Sequence, residues 1–362
     1  MIPVLHLRQG TALYGADRAV LALSACTAAP YQPIVGAIAR PGTPDVLAEE
    51  ARRRGLPALR FESRSRFDLR CARAVASAAL EQGVRLLHAH DFKALFVAVV
   101  AGRLARVPVV ATFHGDTRSS GAVRLYEAAA RVLGNATRGV VAVSRALEAR
   151  LRRWVKVAPV SFVPNGLPPA PPVSPAERAQ ARQRLRVGPD AFCVAIVGRL
   201  SPEKGHRVLF EALRGKLATL LIAGDGPLRR ELEEAASGLD ARFLGYLDNA
   251  REVYAAADAV ALPSLREGLP LVALEALALG RCVVASAVGE LPQLLADGAG
   301  VLVPPGDAAA LSEALDRVNH GEVCAPMKAR ALERAGSYGA AAMAGAYASL
   351  YGRALAGSSS SR

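Results

Sequence analysis

A chain of 362 residues, 52% hydrophobic and 21% charged, is long enough for two domains and too apolar to be a disordered tail. Its net charge of +13 lies wholly in the first part: residues 1–165 hold 24 Lys+Arg against 11 Asp+Glu, and residues 166–362 hold 21 of each. The asymmetry points to an anionic partner for that part, whether membrane surface, acidic lipid or acidic glycan; a generic basic surface is the alternative.

The opening MIPVLHL has no basic start and is too short for a secretory signal; it reads as a first buried strand. The apolar run Leu95–Ala101 is far too short to span a bilayer. Cys26, Cys71, Cys193, Cys282 and Cys324 show neither metal-ligand nor redox spacing and are expected as reduced thiols in a cytosolic protein.

Short apolar runs alternate with longer helical stretches. Strands are predicted at Pro3–Leu7, Ile34–Ala39, Arg85–His88, Val109–Phe113, Gly139–Val143 and Val160–Val163, with helices at Ala16–Thr27, Leu69–Gln82 and Ser144–Trp154 between them. Continuous Val/Ile/Leu strands with helical crossovers predict a parallel sheet covered on both faces. The proline-rich run NGLPPAPPVSP, residues 165–175, continues neither sheet nor helix and reads as a linker. The alternation restarts at Ala191–Val197, Ala218–Ala223, Arg242–Leu244, Ala259–Leu262 and Cys282–Ala285, which predicts a second doubly wound domain. A last helix is predicted at Tyr338–Leu355, and the GSSSSR tail is expected to be disordered. Open parallel sheets bind ligands beyond the carboxyl ends of their strands, so two in tandem predict a site in a cleft between facing domains.

The polar clusters fall at such strand ends. In PSLREGLPLVALEALALG, residues 263–280, Pro270 suits a helix start and Gly280 its end. Glu267 lies in the loop and Glu275 in the helix, while the amides of Gly268, Leu269 and Leu271 can meet an anion. One carboxylate suits sugar hydroxyls and the other a ribose diol. Glu275 is embedded in LVALEALAL, where a buried charge needs a partner. In VGRLSPEKGHRVLFEAL, residues 197–213, Arg199 and Lys204 share one strand-to-helix loop, a diphosphate clamp that stabilises charge on a departing group. Solvated surface charges are the plain alternative for each residue taken singly. Gly224 in GDGP marks a tight turn after a buried strand. In the first part, LYGADR sets Gly15 at a helix start, His88 and His90 end one strand, and His114 in TFHG ends another. A metal held by these three histidines lacks a carboxylate at ligand spacing, and none is expected. The basic helix RALEARLRRWVKV, residues 145–157, suits either a membrane interface or an ordinary solvated face.

Taken in order, LYGADR, TFHG, VSRALEARL, VPNGL, VGRLSPEKG, IAGDGP, FLGYL, LPSLREGLPLVALEA, VVASAVGELPQLL and GVLVPPGD resemble the retaining glycosyltransferases of family 4 (glycosyl transferases group 1), over nearly the whole chain. The resemblance implies the α/β architecture called GT-B, two Rossmann-like domains of doubly wound parallel sheet facing a central cleft. An acceptor-binding domain would span 1–165 and a nucleotide-sugar-binding domain 166–337. A helix at 338–356 would pack back on the first domain, with the tail at 357–362.

It also implies roles. Arg199 and Lys204 bind the donor diphosphate, Glu275 the ribose and Glu267 the donor sugar. Gly268, Leu269 and Leu271 offer backbone contacts, and Tyr246 and Leu247 border the base. Gly15 lets its loop approach the phosphates, and His114 lines the sugar pocket. The donor would be a UDP-, GDP- or ADP-linked sugar and the acceptor a glycan or lipid-linked glycan. No metal or cofactor is implied, and no nucleic acid, since an aromatic stacking platform is missing. The setting would be cytoplasmic, peripheral on the inner face of the membrane. Two departures concern specificity: Tyr14-Gly15-Ala16-Asp17 stands for the usual Gly-Gly-Ala-Glu, and Gly289-Glu290-Leu291-Pro292-Gln293 for Gly-Gly-Ile-Pro-Glu. A dinucleotide-dependent oxidoreductase is the rival class, but RQGTALYGA lacks the G-x-G-x-x-G spacing. A non-catalytic nucleotide- or glycan-binding relative is the other rival.

Overall fold

The computed structural model describes residues 1–10, 13–114, 132–321 and 324–356; the tail 357–362 lies outside them. The chain divides into two compact units, Met1–Pro168 with Gly339–Arg362, and Pro169–Tyr338.

The first unit holds a seven-stranded parallel sheet in the order β3-β2-β1-β4-β5-β6-β7. The strands are β1 (Ile2–Gln9), β2 (Tyr31–Ala39), β3 (Ala58–Glu62), β4 (Leu86–Ala89), β5 (Val109–Phe113), β6 (Gly139–Ala142) and β7 (Val160–Phe162). Strand β3 escaped the sequence reading because it is short, lies at the sheet edge, and alternates Leu59 and Phe61 with the charges Arg60 and Glu62. The central strands are buried on both faces, so they read as mainly apolar runs, LLHA, VVATF and GVVA, without alternation.

The helix Ala340–Ala356 belongs to this unit although it follows the second one in sequence. It buries Met343, Ala344, Tyr347, Leu350, Tyr351 and Ala354 against Val4, Leu23, Leu86, Val110 and Val141. At Leu167 the chain pairs with Gly339 by a parallel bridge, and Gly166 has no room for a Cβ, which would stand 2.6 Å from Gly339 O.

The second unit holds a six-stranded parallel sheet in the order β10-β9-β8-β11-β12-β13. Its strands are β8 (Phe192–Val197), β9 (Ala218–Ala223), β10 (Asp240–Gly245), β11 (Ala259–Leu262), β12 (Cys282–Ser286) and β13 (Val301–Val303). The three-residue edge strand β13 is too short to show a period and was not predicted.

In each sheet the strand order reverses once, between β1 and β4 and between β8 and β11. At such a reversal the loops leave in opposite directions and open a crevice at the carboxyl edge, where open α/β sheets bind ligands. Among the described residues no helix is long and apolar enough to cross a membrane.

Candidate active site

The reversal between β8 and β11 gathers most of the residues singled out in the sequence. The loop after β8 carries Arg199, which is exposed, and then a single 3-10 turn, Pro202–Lys204. Gly205 follows at φ 68°, and a Cβ there would stand 2.0 Å from the carbonyl oxygen of Pro263. Only glycine lets this loop press onto the loop after β11. Leu265 N donates to Glu203 O at 2.8 Å and joins the same two loops.

The result is that Lys204 Nζ lies 2.6 Å from Glu267 Oε1, with Ser264 Oγ donating to the same oxygen at 2.8 Å. Lys204 is about three-quarters buried and Glu267 more so, with side-chain exposures of 24% and 10%. A pair this sheltered is held in place far better than a surface ion pair. It leaves Glu267 Oε2 and two ammonium protons free of these contacts, so the pair can still meet an anion or a hydroxyl.

The loop runs on through Gly268, whose carbonyl accepts from Glu290 N at 2.9 Å, to Pro270, where the helix Leu271–Ala278 begins. Leu269 and Leu271 are buried and anchor this helix start. Glu275 sits on the helix only half-buried, and Tyr254 donates its phenol proton to Glu275 Oε2 at 2.6 Å. The expectation that Glu275 is a buried charge in need of a ligand is therefore corrected: the fold itself supplies one partner. The sequence gives no sign of this, because Tyr254 lies in another helix, Arg251–Ala256.

The loop after β9 is laced to the loop after β8 in the same way. Gly224 adopts φ 141°, its missing Cβ would lie 1.8 Å from Gly198 O, and Leu200 N donates to Asp225 O at 3.0 Å. Gly224 is thus a contact between loops as well as the tight turn that the sequence predicts. After β10, Tyr246 is exposed at 42% and Leu247 is half-buried against the core. Next to Lys204, His206 is buried with neither ring nitrogen bonded, and burial pushes it down to about 4.

Gly15 and His114 belong to the first unit. Gly15 opens the helix Gly15–Cys26, and nothing lies within 4 Å of where its Cβ would be. The neighbouring Asp17 is turned inward to Arg8, 2.5 Å away, and takes the Tyr14 amide proton at 3.0 Å. His114 ends β5 and joins a string of imidazoles at the β1–β4 reversal. His6 Nδ1 lies 3.1 Å from His90 Nε2, and His90 Nδ1 lies 3.3 Å from His114 Nε2. His88, paired in register with His6, meets Tyr351 OH at 2.7 Å and Thr112 Oγ1 at 2.8 Å, and Thr112 meets Tyr347 OH at 2.9 Å.

Burial disfavours the charged form throughout. His6 and His114 are pushed down to about 3, and His88 and His90 are also pushed well down, helped by one another's proximity. The three histidines whose ring nitrogens lie within 4.8 Å of one another are His6, His88 and His90, not the set with His114 considered from sequence. Both His88 nitrogens are already engaged, so a metal would have to displace a phenol or a threonine hydroxyl. His6, on the first strand, escaped the sequence reading because only the sheet register reveals its neighbours.

The basic helix, Arg145–Trp154, turns Leu147 and Leu151 into the core and leaves Arg152 and Arg153 outside. Its apolar face is occupied by its own domain, so what it offers outward is charge.

Residues 15–170 match the family model "Glycosyltransferase Family 4", and residues 191–320 match "Glycosyl transferases group 1". A putative teichuronic acid biosynthesis glycosyltransferase, TuaC, of Bacillus subtilis is 30% identical over 302 residues, covering 78% of this chain and 76% of the relative. The chain belongs to glycosyltransferase family 4. A phosphatidyl-myo-inositol mannosyltransferase of Mycobacterium leprae is 35% identical, over 64% of this chain and 63% of its own. A D-inositol 3-phosphate glycosyltransferase of Actinosynnema mirum is 39% identical over 40% of each chain, so this match spans two fifths of that relative's length. Among solved structures, Anabaena HepE in complex with UDP-glucose superposes with a TM-score of 0.85 at 24% identity, covering 97% of this chain and 100% of its own. Sucrose-phosphate synthase of Thermosynechococcus elongatus gives 0.79 at 23%, over 99% and 100%. The family 4 chain thus has the GT-B fold, two parallel-sheet α/β domains.

Proposed function

We propose that this family 4 chain is a retaining glycosyltransferase that moves a sugar from a nucleotide-sugar donor to a glycan or lipid-linked acceptor. The observation that carries the reading is the Lys204–Glu267 pair at the strand-order reversal of the second sheet, with Glu275 one helix away on the same loop-helix element. A diphosphate would take the place beside Arg199 and Lys204, whose charges stabilise the anion as it departs. Glu267 would accept donor-sugar hydroxyls, and Glu275, oriented by Tyr254, would accept the ribose hydroxyls. Tyr246 and Leu247 would border the base, with Gly224, Gly268, Leu269 and Leu271 supplying backbone contacts. Gly15 and His114 keep, in this proposal, the roles that the family resemblance gives them.

In the reaction, the acceptor oxygen bonds to the anomeric carbon on the face from which the carbon–oxygen bond to phosphate breaks. The acceptor proton passes to a leaving-phosphate oxygen. Donor charge is met by protein cations, so no metal enters the scheme. The exposed arginines of the basic helix, and the first domain's positive charge, suit an anionic cytosolic membrane surface that presents the acceptor.

The test is a donor-hydrolysis and thermal-shift panel of UDP-, GDP- and ADP-sugars with NAD as the rival arm. UDP-glucose leads it, because that donor occupies HepE. Slow release of one nucleoside diphosphate is expected. Stabilisation by NAD alone would assign an oxidoreductase, and binding of a nucleotide sugar without any turnover, with acceptor present, would assign a non-catalytic relative.

A further inference from the structure

At the opposite edge of the second sheet, where the strands begin, lies a cavity of about 500 Å³, within the range of small-molecule sites. Its walls come from the starts of β8 and β12, the segment before β11, and the start of the helix Pro175–Arg184. It is distinct from the edge that carries Lys204 and Glu267: the five residues of β12 alone separate the two by roughly 17 Å at ~3.3 Å per residue.

The charges around this cavity do not balance. Arg178 and Arg182 both bind Asp258, at 2.6 Å to one carboxylate oxygen each. Arg182 also donates to the carbonyls of Gly188, Pro189 and Ala256 and is fully committed to structure. Arg281 is different. It is 92% buried by residue, with 8% exposure, yet among the described residues no carboxylate lies within ion-pair reach of it. Its bonds are to two carbonyls at the limit of the hydrogen-bond range, Leu279 O at 3.3 Å and Ala257 O at 3.5 Å. The nearby Glu177 is held by Arg251 at 2.6 and 2.9 Å. Burial first and the adjacent Arg178 second push the Arg281 guanidinium down from its usual value, with Cys282, Asp258 and Glu177 offsetting this only in part.

A guanidinium stays charged at any physiological pH, so a buried one with no carboxylate within ion-pair reach among the described residues is only partly compensated. Among the described residues that line it, three guanidiniums and the exposed Lys328 face two carboxylates, Asp258 and the exposed Asp190. The first turn of the ten-residue helix Pro175–Arg184 adds its partial positive charge to the same wall.

We propose that this cavity is a second ligand site, which takes the phosphoryl group of a small phosphate ester against Arg281, Arg178 and Lys328. The forked donors of Arg281 match a phosphate's oxygens, and a dianion offsets the excess of four cations over Asp258 and Asp190 among the described lining residues. The cavity is larger than one phosphate needs, so the body of the ester occupies the rest. The residues that serve the donor play no part in this site, and the proposal stands whether or not the chain transfers sugars.

The test is calorimetric titration of the full-length protein with ribose 5-phosphate and, separately, inorganic phosphate. One ester is expected per chain, bound more tightly than inorganic phosphate. R281Q should weaken it by about tenfold or more, as loss of a charge-assisted pair does. K328A, an exposed change that leaves folding alone, should weaken it by about threefold. K204A, which strips a cation from the other edge, should bind the ester as the wild type does. R281M without ligand should melt no lower than the wild type, since it removes an unmatched buried charge.

The proposal is overturned if R281Q and K328A bind with unchanged affinity, or if K204A abolishes binding, which would place the ester at the other edge. It is also overturned if the wild type binds neither ligand at about 10 mM. A phosphate affinity above that of the ester would overturn the assignment to an ester.

Discussion

The two sheet edges at the strand-order reversals solve the same topological problem with opposite chemistry. In the second unit the edge is charged and paired: Lys204 with Glu267 at 2.6 Å, Glu275 with Tyr254 at 2.6 Å. In the first unit it is neutral, with His6, His88 and His90 buried and His114 half-buried, linked by hydrogen bonds to one another and to Thr112, Tyr347 and Tyr351. Charges kept near solvent can meet a charged ligand. Imidazoles and phenols kept dry hold neighbouring strands in register and resist protonation. The comparison teaches that a cluster of titratable groups at a sheet edge is a candidate for chemistry where it keeps its charge, and for positioning where burial removes it.

The sharpest way to test that division is at Glu275 and Lys204. Glu275→Gln still offers Tyr254 an oxygen to donate to, and Lys204→Ala leaves Glu267 with Ser264, so both should fold. Each should lose about a hundredfold or more in kcat/KM. Melting curves and steady-state rates on the same preparations decide this, and wild-type turnover in both variants would remove the site assignment.

Acid should separate the edges next. The native state holds His6, His88, His90 and His114 below their ordinary value of 6.5, so the unfolded chain takes up protons first as pH falls. Their stabilisation is complete above about pH 6.5 and is lost below it, down toward the folded values near 3 for His6 and His114. Each fully buried histidine adds up to about 1.4 kcal/mol per pH unit to that slope. Melting temperature from pH 7 to pH 4 should fall steeply, and His88→Gln should flatten the fall; an unchanged slope would show that His88 is not held neutral.

Smaller effects sharpen the picture. Gly205→Ala meets both a left-handed backbone and a carbonyl 2.0 Å away, so it should cost about 1–3 kcal/mol and separate Lys204 from Glu267. Urea melts joined to rate measurements would register both. Tyr351→Phe removes only the phenol that meets His88, worth about 1–2 kcal/mol, and should lower stability through the first unit with little effect on kcat.

Much of this was legible in the chain. The central strands of both sheets are buried on both faces and mainly apolar, so their runs stand out, and Pro270 and Gly280 bracket the helix that carries Glu275. Arg199, Lys204, Glu267 and Glu275 were legible because each lies in the loop or the first helix that follows a strand's end, so local sequence order places it. Strands β3 and β13 were not, being short edge strands with charges or few residues to carry a period.

By itself, the sequence determined the doubly wound α/β class, the loops that hold the candidate donor residues, and the concentration of positive charge before residue 166, because period, turn chemistry and charge count are local properties. Tertiary structure alone decided the partners: Tyr254 for Glu275, His6 for His90, Tyr351 for His88 across 263 positions, and the carbonyls of Leu279 and Ala257 for Arg281 beside its cavity. Those contacts join segments far apart along the chain, and no local pattern encodes which buried polar group will face which until the strands are in register.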